Sequence, residues 1–420
     1  MKSPTEPGRL AHPVPTATSA TRTHGRGFWI VVAVFAVLMA FTTLPTPLYP
    51  LYQQRDGFPT FVITLIFAAY GFGVMAGLYL TGHVSDYLGR RKVIMAAASV
   101  ELASAIMFTL LADTTSLLIA RFLCGVGIGA LTATATAHLS ELRSVARPRE
   151  DGSFASTAAG VVNTGGLALG PLVAGLLTQW LPAPLTVPFA VWVVLISIAL
   201  AVMLLVPETV PGDTIRPAYR PQQVHIDDAA RPVFAATAVA AASAFSVLGV
   251  FTSLTASFVG GTLHHHSRLL SGAIVFGVIG ASALSQVLLG SRSVGLRLRT
   301  GMALMAAGLI LVATASLTQS LALFVVAGVL AGAGVGLVFN VALATSAQVS
   351  SPEHRGGTLA GMFLAAYAGI TVPVIAAGVA LTWLPAVGVL ATFALVVLFA
   401  VLVSTGRMIA LDPSGASDDD

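Results

Sequence analysis

The chain has 420 residues, of which 56% are hydrophobic and only 9% charged. A soluble domain carries about 25% charged residues, so this chain cannot cover a water-facing surface and reads as an integral membrane protein. A formal net charge of +4 with the bases spread over short segments argues against a nucleic-acid surface, and the single cysteine, Cys124, rules out an internal disulfide or a Cys-rich metal site.

In chain order, residues 1–27 are rich in Pro, Thr and Arg and are expected to form a disordered tail. The tail is too long and polar for the short charged start of a signal peptide, so the apolar run after it reads as a first helix that is kept. Continuous apolar runs of about 20 residues, rather than the ~10-residue alternation of a barrel strand, point to spanning helices. They fall at 28–50, 60–81, 93–112, 116–139, 154–177 and 187–206. A polar linker covers 207–231. Six more runs follow at 232–258, 269–289, 300–317, 321–344, 357–380 and 384–405, and an acidic tail at 406–420 ends the sequence. The expected architecture is all-α, with twelve transmembrane helices in two six-helix bundles, 28–206 and 232–405.

Lys and Arg set the orientation. With the N-terminus inside, every base except Arg55, Arg268 and Arg121 falls in an inside segment; the first two lie outside and Arg121 within a span. The positive-inside rule therefore puts both termini in the cytoplasm. The two bundles also repeat. Gly125-Val-Gly127-Ile-Gly129 matches Gly332-Ala-Gly334-Val-Gly336, Arg149 matches Arg355, and Pro171 matches Pro373, at offsets of 207, 206 and 202 residues.

Between the second and third spans lies Gly82-His83-Val84-Ser85-Asp86-Tyr87-Leu88-Gly89-Arg90-Arg91-Lys92. It concentrates charge in a chain that has little. Gly82, Asp86, Gly89, Arg90 and Arg91 resemble the signature loop of the major facilitator superfamily of transporters; Tyr87 departs from that pattern, which usually has Arg or Lys there. The resemblance implies a gate: Asp86, with Arg90 and Arg91, locks the halves together on the cytoplasmic side, against the start of the eleventh helix near Gly356, and releases when the cavity opens inward. Arg121 followed by Gly125, Gly127 and Gly129 resembles the family's fourth-helix motif, linked there to proton coupling. Gly166, Gly170, Pro171 and Gly175 in the fifth span resemble the motif that marks exporters exchanging solute for protons. Pro207-Glu208-Thr209 resembles the family without naming a solute.

Glu101 lies about eight residues, ~12 Å, into the third span and is the sharpest acidic candidate for proton coupling; the resemblance implies an acid in the first span, and that span has none. His138 and Glu141 end the fourth span and read as gate or surface residues. His264-His265-His266 reads as a solvated outer loop. In the fold the resemblance implies, the polar candidates for the cavity are Thr42, Thr46, Asn163, Ser246, Ser282, Asn340 and Tyr367. Their sparse polarity suits an uncharged or lipophilic solute. The expected partners are a small molecule, protons and the bilayer, with no cofactor, no metal, no nucleic acid and no enzymatic activity. A monomer in a bacterial plasma membrane that exports drug-like compounds by exchange for protons is the expected function. The alternatives are an uptake carrier for a small metabolite and a non-transporting membrane receptor.

Overall fold

The structure, a computed structural model, describes residues 17–111, 113–211, 219–351 and 354–411, with side chains from residue 21 onward. The helices are α1 (Ala17–Thr43), α2 (Tyr49–Asp56), α3 (Thr60–Thr81), α4 (Ser85–Leu88), α5 (Arg90–Leu110), α6 (Thr114–Ala146), α7 (Ser153–Trp180), α8 (Val187–Met203), α9 (Arg231–Gly261), α10 (Arg268–Leu289), α11 (Val294–Thr318), α12 (Leu321–Gln348), α13 (Arg355–Ala380) and α14 (Ala386–Ala410). Among the described residues there is no strand.

Eleven helical stretches are long and apolar enough to cross a membrane. The twelfth apolar helix, α8, has 17 residues, or about 25 Å of rise, at the short end of what spans. α1 begins at Ala17, not at residue 28. Residues 1–16 of the expected tail, 212–218 of the linker and 412–420 of the acidic tail lie outside the described residues. The first span was expected to run to residue 50. Its helix instead ends at Thr43, and Pro45, Pro47 and Pro50 turn the chain through a 3₁₀ turn at Thr46–Leu48 into α2, because proline removes the backbone donor that an α-helix needs. Serines start the second-half helices cleanly: Ser267, Ser293 and Ser320 accept from the amides of Leu270, Leu296 and Leu323, each satisfying an orphan helical donor.

Glycine spacing fixes the packing inside each half. A Cβ on Gly125 or Gly129 of α6 would collide with α3 backbone at Tyr70 or Val74, whereas one on Gly127, on another face, would meet Glu101 and Ala97 of α5. The second half repeats this. Gly332 and Gly336 of α12 lie against Val278 and Ser282 of α10, and Gly334 lies against Met305 of α11. Without a strong hydrophobic force between helices in lipid, close backbone approach through small residues is what brings them together. The matched contacts make α3, α5 and α6 counterparts of α10, α11 and α12.

The halves meet along two seams. In one, Gly71 and Thr64 of α3 press on Thr371 and Gly378 of α13. In the other, Pro171 and Gly175 of α7 press on Gly272, Arg268 and Leu269 of α10, and Arg268 donates from Nη1 to Thr178 O at 2.7 Å. These contacts run from mid-helix to the end opposite the linker.

Candidate functional site

Between the halves lies a cavity of about 110 Å³, lined from α1, α3, α6 and α7 on one side and α9, α10, α12 and α13 on the other. Aromatic rings dominate it. Tyr70 and Tyr367 meet edge to face with centroids 6.4 Å apart, and Phe245, Phe339 and Phe363 continue the cluster. Asn163, Thr164, Ser282, Gln286 and Thr132 supply polar groups on the linker side of the seams.

Arg121 is the only charged residue among the described lining residues. It is 1% exposed. Its Nη1 donates to Thr42 O at 2.7 Å, and its guanidinium lies 4.7 Å from the Tyr70 ring centre and 5.9 Å from that of Phe67. Stacking on ring faces is how a guanidinium, weakly hydrated and planar, is held away from water. Nε has no hydrogen-bond partner. No carboxylate lines the cavity among the described residues.

Four of the expected cavity residues line it: Thr42, Asn163, Ser282 and Tyr367. Three do not. Thr46 is buried in the 3₁₀ turn after α1. Ser246 hydrogen-bonds Gly369 O at 2.9 Å and lines a different space, a groove of about 730 Å³ between α9, α13 and α14. Asn340 accepts from Arg297 Nη1 at 2.7 Å and so faces α11. The groove is larger than the central cavity, but its walls are mostly Ala and Val and it lies to one side of the C-terminal half, as a lipid-facing surface would. Sequence reasoning missed Tyr70, Phe67, Phe245, Phe339 and Gln286, because a side chain in a helix apolar on every side carries no mark of which way it faces.

Glu101 is fully buried between α5 and α6, with its Cγ against the position of Gly127 and neither oxygen hydrogen-bonded. It lies off the cavity. Gly166 and Gly170 of α7 pack on Met39 and Ala40 of α1, whereas Pro171 and Gly175 form the seam with α10.

The charged loop forms a tight network within the N-terminal half. Gly82 ends α3, where a Cβ would crowd the carbonyl oxygen of Leu78 at 2.8 Å. Gly89, at φ +105°, lets the chain turn out of α4 into α5, and a Cβ there would collide with the carboxylate of Glu208. Glu208 accepts from the amides of Arg90 at 2.8 Å and Arg91 at 3.1 Å, an acid at a helix N-terminus where the dipole favours it. Arg90 pairs with Asp86 at 2.5 Å and Glu141 at 3.0 Å. Glu141 also accepts from Thr209 Oγ1, which lies 3.0 Å from His138 Nδ1. Arg91 donates to Val206 O at 3.0 Å. Thus Pro207-Glu208-Thr209 and Glu141 are the partners of the loop. Asp86 is 61% exposed on its side chain and turned to Arg90; the start of α13 is instead met by the linker, with Gln223 and His225 against Gly357.

A family model described as Major Facilitator Superfamily matches residues 30–299, and the chain belongs to that superfamily. Its fold is that of carriers, not enzymes. Among relatives, an arabinose-proton symporter of Bacillus subtilis is 30% identical over 141 residues, 32% of this chain and 30% of that protein. An uncharacterised MFS-type transporter of Mycobacterium tuberculosis is 29% identical over 208 residues, 47% of this chain and 28% of that one. The major myo-inositol transporter of Bacillus subtilis is 35% identical over 74 residues, 18% of this chain and 16% of that one. The chain therefore matches less than a third of each of these relatives' lengths. The human organic anion transporter MFSD10 (TETRAN) shares the fold, with a TM-score of 0.65 over 92% of this chain and 99% of that one at 15% identity.

Proposed function

We propose that this chain is a secondary active carrier that exports small, uncharged or lipophilic organic solutes in exchange for protons, by alternating access. The α7–α10 seam carries the reading. Gly175, Pro171 and Gly272 bring two backbones into contact and shut the cavity at the end opposite the linker. With both termini cytoplasmic by the positive-inside rule, that end is outside, and the cavity is loaded from the cytoplasm or the inner leaflet. The apolar, aromatic lining supports a lipophilic solute, and the lone Arg121 disfavours a cationic one. Arg121 is the coupling residue best supported, because it alone among the described lining residues brings charge to the cavity; a guanidinium keeps its proton, so it acts through its fixed charge, and Glu101 does not line the cavity. Asp86, Arg90 and Arg91 act as the inner gate. One chain holds the whole cavity, so a monomer in a bacterial plasma membrane suffices.

The test is a susceptibility panel in a bacterium stripped of its own exporters, with an Asp86→Asn control. Resistance to some compounds, lost in the control and on collapse of the proton gradient, is the expected result. A second reading, proton-driven uptake of a small metabolite, draws on the names of the arabinose and myo-inositol relatives. It is favoured if no compound in the panel is exported and an outside sugar or polyol accumulates inside.

A further inference from the structure

Where the linker meets the start of α13, away from the cavity and from the charged loop network, three ligand-forming side chains converge. His225 and Asp227 come from the linker, and His354 is the residue before α13. Their donor atoms all lie within 4.8 Å of one another. Asp227 Oδ1 is 3.0 Å from His354 Nδ1 and 3.6 Å from His225 Nε2. The two imidazole centroids are 3.7 Å apart. A zinc-type ion holds nitrogen and oxygen ligands at about 2.0–2.2 Å, which puts neighbouring ligand atoms roughly 3.0–3.6 Å apart. Two of the three separations already have that value.

Neighbouring groups hold the three in place, and Ser351 Oγ lies 3.0 Å from His354 Nδ1. Asp227 Oδ2 accepts from Ser351 N at 3.2 Å, and the carbonyl of His225 accepts from Thr358 Oγ1 at 2.9 Å. The nearby Arg231 is paired with Asp228 at 2.8 Å, so its charge does not oppose a cation. All three side chains are partly exposed, which gives an ion an entry path and leaves room for water to complete its coordination. Two imidazoles and one carboxylate suit zinc, cobalt or nickel rather than calcium or magnesium, which take oxygen ligands.

We propose that His225, Asp227 and His354 form a site for a divalent transition-metal ion of the zinc type, which fastens the linker to the start of α13. The same linker is tied to the end of α3, where Tyr219 donates to Leu80 O at 2.9 Å and Gln222 N donates to Tyr79 O at 2.8 Å. An ion at the site therefore strengthens a strap across the ends of α3 and α13.

The experiment is titration of the purified full chain, carrying an affinity tag without histidine, with Co²⁺ followed by its visible absorption and with Zn²⁺ followed by calorimetry. Three variants accompany it: His225→Ala with His354→Ala; Asp227→Asn; and replacement of His264, His265 and His266 by Ala, since that outer histidine run is the competing binder. The expected result is one ion per chain in the wild type and in the variant lacking the outer run. Affinity falls by at least about tenfold in each of the other two, including Asp227→Asn, whose metal-free melting temperature is expected to stay close to wild type. No binding by the wild type, unchanged binding by the His225/His354 and Asp227 variants, or loss only with the outer run would overturn the proposal. The readout is binding, so it stands apart from whether the carrier exports or imports.

Discussion

Arg121 of α6 donates from Nη1 to the carbonyl oxygen of Thr42 in α1, 2.7 Å away. Thr42 lies in the last turn of α1, where helical carbonyls lack an intrahelical partner and a cation is favoured. One guanidinium thus closes the end of a helix broken by proline and puts a charge on the cavity wall beside Tyr70. A hydrogen bond to a charged group is worth about 1.5–3 kcal/mol. Arg121→Gln is expected to lower solute flux by roughly tenfold or more on that account, and Arg121→Lys to rescue it poorly, because lysine lacks the planar fork. Flux in reconstituted vesicles checks this; wild-type flux in Arg121→Gln would remove Arg121 from the mechanism.

The seam between α7 and α10 has no room for a side chain at Gly272, where a Cβ would collide with the carbonyl oxygen of Pro171. Gly272→Val should therefore hold the outer end ajar, at an overpacking cost of about 1–3 kcal/mol. Cysteines placed at Thr178 and Ser267, in a background with Cys124 replaced, are expected to react faster with an impermeant outside reagent in Gly272→Val. Equal reactivity would show that the seam is not the outer closure.

Glu208 takes the first two amides of α5. Removing a cap of this kind costs about 0.5–2 kcal/mol. Glu208→Ala is expected to lower the melting temperature in detergent, and Glu208→Gln, which keeps an acceptor, to lower it less. Equal melting in all three proteins would mean that the cap contributes nothing measurable.

Asp113 caps α6 outside the membrane, accepting from Ser116 N at 2.9 Å and Ser116 Oγ at 2.6 Å. The hydrogen bond from the Ser116 hydroxyl, then that from its amide, hold the Asp113 carboxyl below the usual aspartate value. A carboxyl depressed in the folded state stabilises it fully above the unfolded value, about 3.9, and loses that stabilisation as pH falls through the folded value. The melting-temperature gap between wild type and Asp113→Ala is thus expected to be flat from pH 8 to about pH 5 and to shrink below about pH 4. A gap that grows as pH falls would contradict the cap.

Much of the fold was legible because membrane helices announce themselves by length and charge. Scarce charge, apolar runs and the matched Gly125 and Gly332 triplets were enough for two bundles, and the triplets proved to be the packing faces themselves. The charged loop was legible too, since four charged residues had to be solvated or paired. What it paired with was not. Glu141 and Glu208 lie 51 and 118 residues from Arg90 in sequence, and nothing local marks so distant a partner. The cavity was half legible. Thr42, Asn163 and Tyr367 face it, but Ser246 and Asn340 turn to Gly369 and Arg297. In helices apolar on every side, periodicity cannot say which face is inward. Glu101 shows the same limit: depth in the span was readable, and the neighbour it faces was not.

The most direct test of the central claim uses everted membrane vesicles energised to an acidic interior, with a fluorescent pH probe and a panel of uncharged lipophilic compounds. Exchange predicts that some compounds release protons from the vesicles as they enter, and that Arg121→Gln abolishes the signal while Glu101→Gln keeps it. If no compound releases protons, while a sugar or polyol added to intact cells carries protons in with it, the chain is an uptake symporter and the export reading is wrong.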